Sequence, residues 1–317
     1  MDSAGLRVGF IGLGNFGEPM ATRVALAGLD LVVFDLRDEP MTRLERCGAR
    51  SVASVESMAQ SCDIIQIAVV NDQQVTNLLI GDAESPGIIE RAASGSIILV
   101  HSTIHPDTCR RLSAVAATKR IEVLDAPVTG GPAAAASGAL SVMVGGSAAA
   151  VETCRPVLDA IGTTITHLGA SGAGQLAKLA NNIGIAMTMR AVHESLSFAS
   201  ANGIPADQML GLLGHGAASS WVAENWLTIG HTAAHYQAGG VQGVADLTYK
   251  DLWLALSIAH DSRLALPGAA LAAQLIAEPY CAAAELNGLY ADPNLGCVSE
   301  MSAAPAADNH SWGRAQE

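Results

Sequence analysis

The chain is poor in positive charge. Lys and Arg number 17 against 30 Asp and Glu, for a formal net charge of −13 at pH 7 and an isoelectric point near 5.0. A nucleic-acid binder carries a basic face, and none is present; the acidic balance favours solubility. Apolar runs approaching the ~18 residues of a membrane span are missing, although 50% of residues are hydrophobic and mean hydropathy is +0.32. The opening segment, Met1–Leu6, lacks the basic stretch of a signal peptide. Cys47, Cys62, Cys109, Cys154, Cys281 and Cys297 include no CxxC, so they read as free thiols of a reducing cytoplasm, not a disulfide or metal framework. The histidines show no HExxH or other i, i+4 pair suited to a metal, and no metal site is expected. GxSxG and GxxxxGK[ST] are absent too, which argues against hydrolase and NTPase chemistry.

What is present is a core-forming chain of 317 residues, long enough for two domains. Between Arg7 and Leu168, β-branched runs at Val8–Ile11, Leu31–Asp35, Asp63–Val70, Ser96–His101, Ile121–Val128, Leu140–Val144 and Thr164–Leu168 alternate with helix-length segments. That alternation predicts βαβ units and a mostly parallel, doubly wound sheet. After Leu168 the pattern is helical: one long proline-free helix over Gly172–Asn202, then Pro205–Leu213, Val222–Ile229, Val244–His260 and Pro267–Leu289. The expected division is a sheet domain over 1–168, an all-helical domain over 169–292 and a flexible tail over 293–317. The first turns of the long helix should lie at the seam, where small-molecule sites gather.

Val8–Gly17 reads VGFIGLGNFG. An apolar strand runs into Gly12, Gly14 and Gly17 in G-x-G-x-x-G spacing, with a helix following. Gly12 permits the tight turn, Gly14 lets backbone approach a pyrophosphate, and Gly17 allows close helix–strand packing before a helix N-terminus that attracts phosphate. Asp35 ends the second strand where an acidic residue is expected to bind the ribose 2′-OH. A carboxylate there repels a 2′-phosphate and favours NAD over NADP, although Arg37 lies close enough to blur the preference.

Four other segments carry candidate chemistry. Asp125–Gly131 reads DAPVTGG at a strand's carboxyl end; Thr129 offers a hydroxyl, and Gly130 and Gly131 offer unobstructed N–H groups that suit a carboxylate. Ser102 and Thr103 end another strand, as contacts for substrate or nicotinamide ribose or as caps for a following helix. In GAGQLAKLANN (Gly172–Asn182), Gly174, Lys178 and Asn182 share one helix face. Gly174 should leave room there for a reacting hydroxyl, Lys178 should reach it, and Asn182 should steady the lysine. The stretch Leu168–Met189 carries no other charge, so Lys178, if buried, calls for a partner or a function. In Tyr249–Trp253, Lys250 can reach back to the cofactor or a carboxylate and Asp251 can pair with a neighbouring helix; a plain surface pair fits the pattern as well.

Taken together, FIGLGNFGEPMA (Phe10–Ala21), STIHP (Ser102–Pro106), DAPVTGG, GAGQLAKLANN and KDLWLA (Lys250–Ala255) resemble the β-hydroxyacid dehydrogenase family, which includes 3-hydroxyisobutyrate dehydrogenase and tartronate semialdehyde reductase. The resemblance implies an α/β Rossmann N-terminal domain and an all-α C-terminal domain joined by the long helix. It implies catalysis by Lys178 with Asn182, and substrate binding by Thr129, Gly130 and Gly131, to which Ser102 is added. Cofactor contacts are expected at Gly12, Leu13, Gly14, Asn15, Phe16, Asp35, Val70, Thr103 and Lys250. The implied activity is hydride transfer between NAD and a small 3-hydroxy acid in a cytoplasmic homodimer or homotetramer, with neither nucleic acid nor membrane as partner. Phe16 and Thr129 stand where the family usually has Met and Ser, and Arg23 where a small polar residue or Asn is common. The extra methyl of Thr129 leaves the substrate open. Two alternatives remain: an imine reductase-like NAD(P)H enzyme, and a non-catalytic NAD-binding protein.

Overall fold

The computed structural model describes residues 5–82, 85–236 and 239–288. Its first half is built on one sheet of β1 (Arg7–Ile11), β2 (Asp30–Phe34), β3 (Arg50–Ser51), β4 (Ile64–Ile67), β5 (Ile97–Val100), β6 (Glu122–Asp125), β7 (Val128–Thr129), β8 (Leu140–Gly145) and β9 (Gly162–Gly169). The order is β3-β2-β1-β4-β5-β6-β8-β7, with β9 paired to β8. Strands β1 to β6 run parallel. β8 is antiparallel to β6 and β7, and parallel to β9. β1 has β2 on one side and β4 on the other, so the strand order reverses there and a crevice opens at the carboxyl ends.

Helices α1 (Gly17–Leu26), α2 (Asp38–Glu45), α3 (Val55–Ser61), α4 (Asp72–Ile80), α5 (Ile88–Arg91), α6 (Pro106–Ala117), α7 (Gly131–Ser137), α8 (Ala148–Thr153) and α9 (Arg155–Ile161) connect the strands. One apolar cluster forms around Phe10, Val24, Leu99 and Leu140, and a second around Ile11, Ile65, Ile98 and Leu112. Covered on both faces, the inner strands read as continuous apolar runs; IIQI of β4 and IILV of β5 are buried at every position.

The second half is helical: α10 (Ala173–Ala201), α11 (Ala206–His215), α12 (Trp221–Glu224), α13 (Trp226–Ala234), α14 (Gly240–Asp261), α15 (Pro267–Gln274) and α16 (Ala277–Leu286). At 29 residues, α10 extends about 43 Å and runs from the sheet into a core of Met189, Leu196, Trp226, Leu252 and Tyr280. No helix among the described residues is long and apolar enough to cross a membrane.

Departures from the sequence reading are local. Ile121–Val128 is not one strand, because Pro127, which has no N–H to extend the ladder, separates β6 from β7. β3 is two residues long, too short for a periodic signal. Val222–Ile229 breaks at Asn225, and Pro267–Leu289 breaks at Leu275 and Ile276; both breaks lie inside continuous apolar patterns. Cysteine pairing also needs correction. Cys47, Cys62, Cys109 and Cys154 are free, but Cys281 is disulfide-bonded. The tail expected beyond Asp292 lies outside the described residues.

Candidate active site

β1 delivers the chain into the glycine loop. Gly12 has φ +88, and a Cβ there would lie 2.4 Å from the Ala68 carbonyl oxygen, so only glycine makes this turn. A Cβ on Gly17 would lie 1.9 Å from the Gly12 oxygen, which fixes how closely α1 packs on the loop. Gly14 differs: nothing stands within 4 Å of where its Cβ would be. That open cradle faces the start of α1, whose N-cap Phe16 supplies no side-chain cap. Free N–H groups beside open space suit a phosphate, so these residues fit the phosphates of a dinucleotide.

Asp35 follows β2 and is tied to the same loop. Its Oδ2 accepts the Leu13 N–H at 2.6 Å, and Oδ1 accepts the Arg37 N–H at 2.9 Å and Nε–H at 3.0 Å. Arg37 Nη2 donates onward to the Leu13 carbonyl at 2.9 Å. Burial pushes the Asp35 pKa up, but the bonds from Arg37 and Leu13 outweigh it and hold the carboxyl below its ordinary 3.8. Asp35 is therefore ionised at neutral pH. The Leu13 side chain is fully buried, and its contribution to the loop is through the backbone.

The position of α10 is set by Asp125 at the end of β6. Its buried carboxylate accepts the Gly172 N–H at 2.7 Å and the Gln175 N–H at 3.0 Å, satisfying orphan donors at a helix N-terminus that also favours negative charge. Gln175, equally buried, accepts the Ile104 N–H at 3.1 Å and donates to the Ser102 carbonyl at 2.8 Å. A Cβ on Gly174 would lie 2.3 Å from the Met143 oxygen. Gly174 thus serves close packing of α10 on β8, and the room expected beside it for a reacting hydroxyl is taken by the sheet.

One turn later stands Lys178. Burial pushes its pKa down from 10.5 to about 8; the nearby Asp251 carboxylate opposes this and Lys250 adds to it. Around the Asp251 and Lys250 charges that act on Lys178, a set of polar contacts crosses between the two halves. Asn182 Nδ2 donates to Asp251 Oδ2 at 2.7 Å, while Asn181 Nδ2 contacts Asn182 Oδ1 and Thr129 Oγ1, both at 3.2 Å. Lys250 Nζ donates to the Thr103 carbonyl at 2.6 Å and lies 2.8 Å from Asp251 Oδ1. That last contact is a charge pairing at an angle unsuited to a hydrogen bond, since Asp251 Oδ1 has no hydrogen-bond partner. Asp251 is buried, so this is not the surface pair that the YKDLW segment also allowed.

Comparison with known proteins places this geometry. Residues 7–169 match the profile of the NAD binding domain of 6-phosphogluconate dehydrogenase, and residues 172–289 match that of the NAD-binding region of NADP-dependent 3-hydroxyisobutyrate dehydrogenase. NAD-dependent L-serine dehydrogenase of Pseudomonas aeruginosa is 36% identical over 274 residues, covering 85% of this chain and 90% of that protein. This chain belongs to the β-hydroxyacid dehydrogenase family. The 2-(hydroxymethyl)glutarate dehydrogenase of Eubacterium barkeri is 32% identical to this family member over 270 residues, covering 85% of this chain and 88% of that protein. The crystal structure of 3-hydroxyisobutyrate dehydrogenase from Salmonella typhimurium superposes with a TM-score of 0.77 at 30% identity, covering 90% of this chain and 96% of that chain. This β-hydroxyacid dehydrogenase is an oxidoreductase with an NAD-binding domain.

Other expected positions of this dehydrogenase fall around the same crevice. Gly130 and Gly131 follow Thr129 with φ +129 and +82, a backbone path that favours glycine, and they form the N-cap and first residue of α7. Ser102 is buried, and its Oγ accepts the Val69 N–H at 2.8 Å, tying the exits of β4 and β5 together. Val70 is 54% exposed, and its N–H goes to Gln74 Oε1. His101 is buried with Nδ1 2.8 Å from the Ala126 oxygen and Nε2 3.0 Å from Gln66 Oε1. Burial lowers its pKa to about 4, so it stays neutral and braces the strand ends.

Asp125 and Gln175 are the positions that sequence reasoning missed as site-builders, whereas Asp251 pairs with a neighbouring helix through Asn182, one of the two readings its motif allowed. Asp125 and Gln175 lie inside the quoted motifs, but their partners are about 50 to 70 residues away in sequence. Two i, i+4 histidine pairs do exist: His101 and His105 lead into α6, with His105 as its N-cap, and His231 and His235 stack at 4.3 Å at the exposed end of α13. No group of three or more metal-ligating side chains is found among the described residues.

Proposed function

We propose that this chain oxidises a small 2-substituted 3-hydroxy acid to its semialdehyde with NAD, and runs the reverse reduction, using Lys178 as the acid–base residue. One observation carries this reading. A largely enclosed lysine with a pKa near 8 is fixed on a helix whose N-terminus and flank are bonded to the loops at the sheet's carboxyl edge.

The Thr129 hydroxyl and the Gly130 and Gly131 N–H groups would hold the substrate carboxylate. Asn181 occupies an acceptor position on Thr129 Oγ1, leaving the hydroxyl proton to point at that carboxylate. In oxidation, neutral Lys178 takes the proton of the substrate hydroxyl as the carbon loses hydride. In reduction, the ammonium returns it to the nascent alkoxide. Bound NAD supplies the hydride acceptor. A pKa near 8 lets either protonation state be populated close to neutral pH. Asn182, held by Asp251, keeps this face of the helix in register.

L-serine, 2-(hydroxymethyl)glutarate and 3-hydroxyisobutyrate, the compounds named for the relatives, share a carboxylate, a substituted C2 and a terminal CH2OH. On this reading the carboxylate of that skeleton sits at Thr129, Gly130 and Gly131 and its terminal hydroxyl at Lys178. Asp35 supports NAD over NADP. Exposed Phe198 and Leu212, at 74% and 65%, support assembly as a homodimer or homotetramer, which light scattering would test. The test of function is an NADH-formation screen over 2-substituted 3-hydroxypropionates with Lys178→Ala as control. At least one acid should turn over, and the variant should lose ~10²–10⁴ in rate. Turnover of a cyclic imine with no hydroxy acid oxidised would overturn the reading.

A further inference from the structure

Tyr236 lies between α13 and α14, in the helical half. Its backbone is pinned: its N–H donates to the Ala233 carbonyl at 3.2 Å, and its carbonyl accepts the Gly240 N–H at 3.0 Å. Its side chain reaches from the helical half to the glycine loop. The phenol is hydrogen-bonded to the side chain of Asn15, within the glycine loop, and lies near enough to Asp251 to feel that charge. The two neighbours mark opposite ends of the crevice. Asn15 follows Gly14, whose open cradle suits a phosphate, and Asp251 holds Asn182 one turn past Lys178. A dinucleotide held at the loop and reacting at Lys178 has to pass the ground between them, where this phenol stands.

From this placement we infer that Tyr236 is a positioning residue for the dinucleotide. Its hydroxyl fastens the helical half to the phosphate loop and sets the width of the crevice where the reactive end of the cofactor meets Lys178. The inference rests on the dehydrogenase reading above. It concerns a residue outside all five motifs that carry the family resemblance.

The test is Tyr236→Phe in the full-length protein, which keeps the ring and removes only the hydroxyl. NADH binding is followed by fluorescence and AMP binding by calorimetry, because AMP occupies only the adenine end. NADH affinity should fall about 5–10-fold, the effect of one hydrogen bond, while AMP affinity and the melting temperature stay unchanged. Asn15→Ala should then add little in the Tyr236→Phe background, since the two side chains act as a unit. NADH binding equal to wild type in Tyr236→Phe would overturn the inference, as would parallel weakening of NADH and AMP. If wild type itself fails to bind NADH, the dehydrogenase reading fails and takes this one with it.

Discussion

Replacing Lys178 with Met should make the protein inactive and more stable. The lysine pKa falls from 10.5 to about 8 because the ammonium is desolvated, with the Asp251 carboxylate only partly offsetting that loss. At 1.36 kcal/mol per pKa unit, the enclosed charge costs about 3 kcal/mol. Methionine fills a similar volume without charge and relieves most of that penalty. Because the folded pKa lies below the unfolded one, the unfolded chain binds more protons between pH 8 and 10.5, and wild-type stability rises with pH across that window. The variant's advantage is therefore full below pH 8 and closes as pH approaches 10.5. Urea unfolding of both proteins at pH 6.5, 8 and 10 measures it, with an expected gain of ~2–3 kcal/mol at the lowest pH. A variant that is equally or less stable at pH 6.5, or an advantage that does not shrink with pH, would refute an enclosed ammonium.

Three more substitutions test separate parts of the site. Asp125→Ala removes both carboxylate bonds at the start of α10 and should cost ~2–4 kcal/mol, read as a lower urea midpoint; an unchanged midpoint would remove Asp125 from the architecture. Asp35→Ser deletes the carboxylate that engages Arg37 and should raise the NADP/NAD ratio of kcat/KM by about 10–100-fold; an unchanged ratio would mean that Asp35 does not select the cofactor. Asp251→Asn keeps an acceptor for Asn182 but removes the charge that raises the Lys178 pKa, so the basic ionisation in the rate profile should move to lower pH. A profile that stays in place would disconnect the two residues.

Sequence pattern was strongest where one local rule decided the structure. The glycine spacing, the strand before it and the helix after it meet in the loop as expected: Gly17 is required by the Gly12 carbonyl five residues earlier, Gly12 by its positive φ, and Gly14 leaves the cradle open. The parallel strands and α10 are similarly written in apolar runs and the absence of proline. Contacts between distant segments were hidden. Nothing local says that Asp125 holds the N-cap of a helix, Gly172, 47 residues later, or that Gly174 faces a strand carbonyl instead of a ligand. Asp251 looked equally suited to solvent because burial is a property of packing. Breaks at Asn225 and Leu275 escaped notice because the apolar period continues through them while the chain changes direction.

The role of Lys178 as proton acceptor is tested most directly by the pH dependence of kcat/KM for oxidation of a 3-hydroxy acid at saturating NAD. The rate should rise with pH and level off above a single ionisation near 8, as the lysine becomes neutral, and Lys178→Ala should lose both the rate and that inflection. A flat profile from pH 6.5 to 9.5, or the same inflection retained in Lys178→Ala, would contradict it.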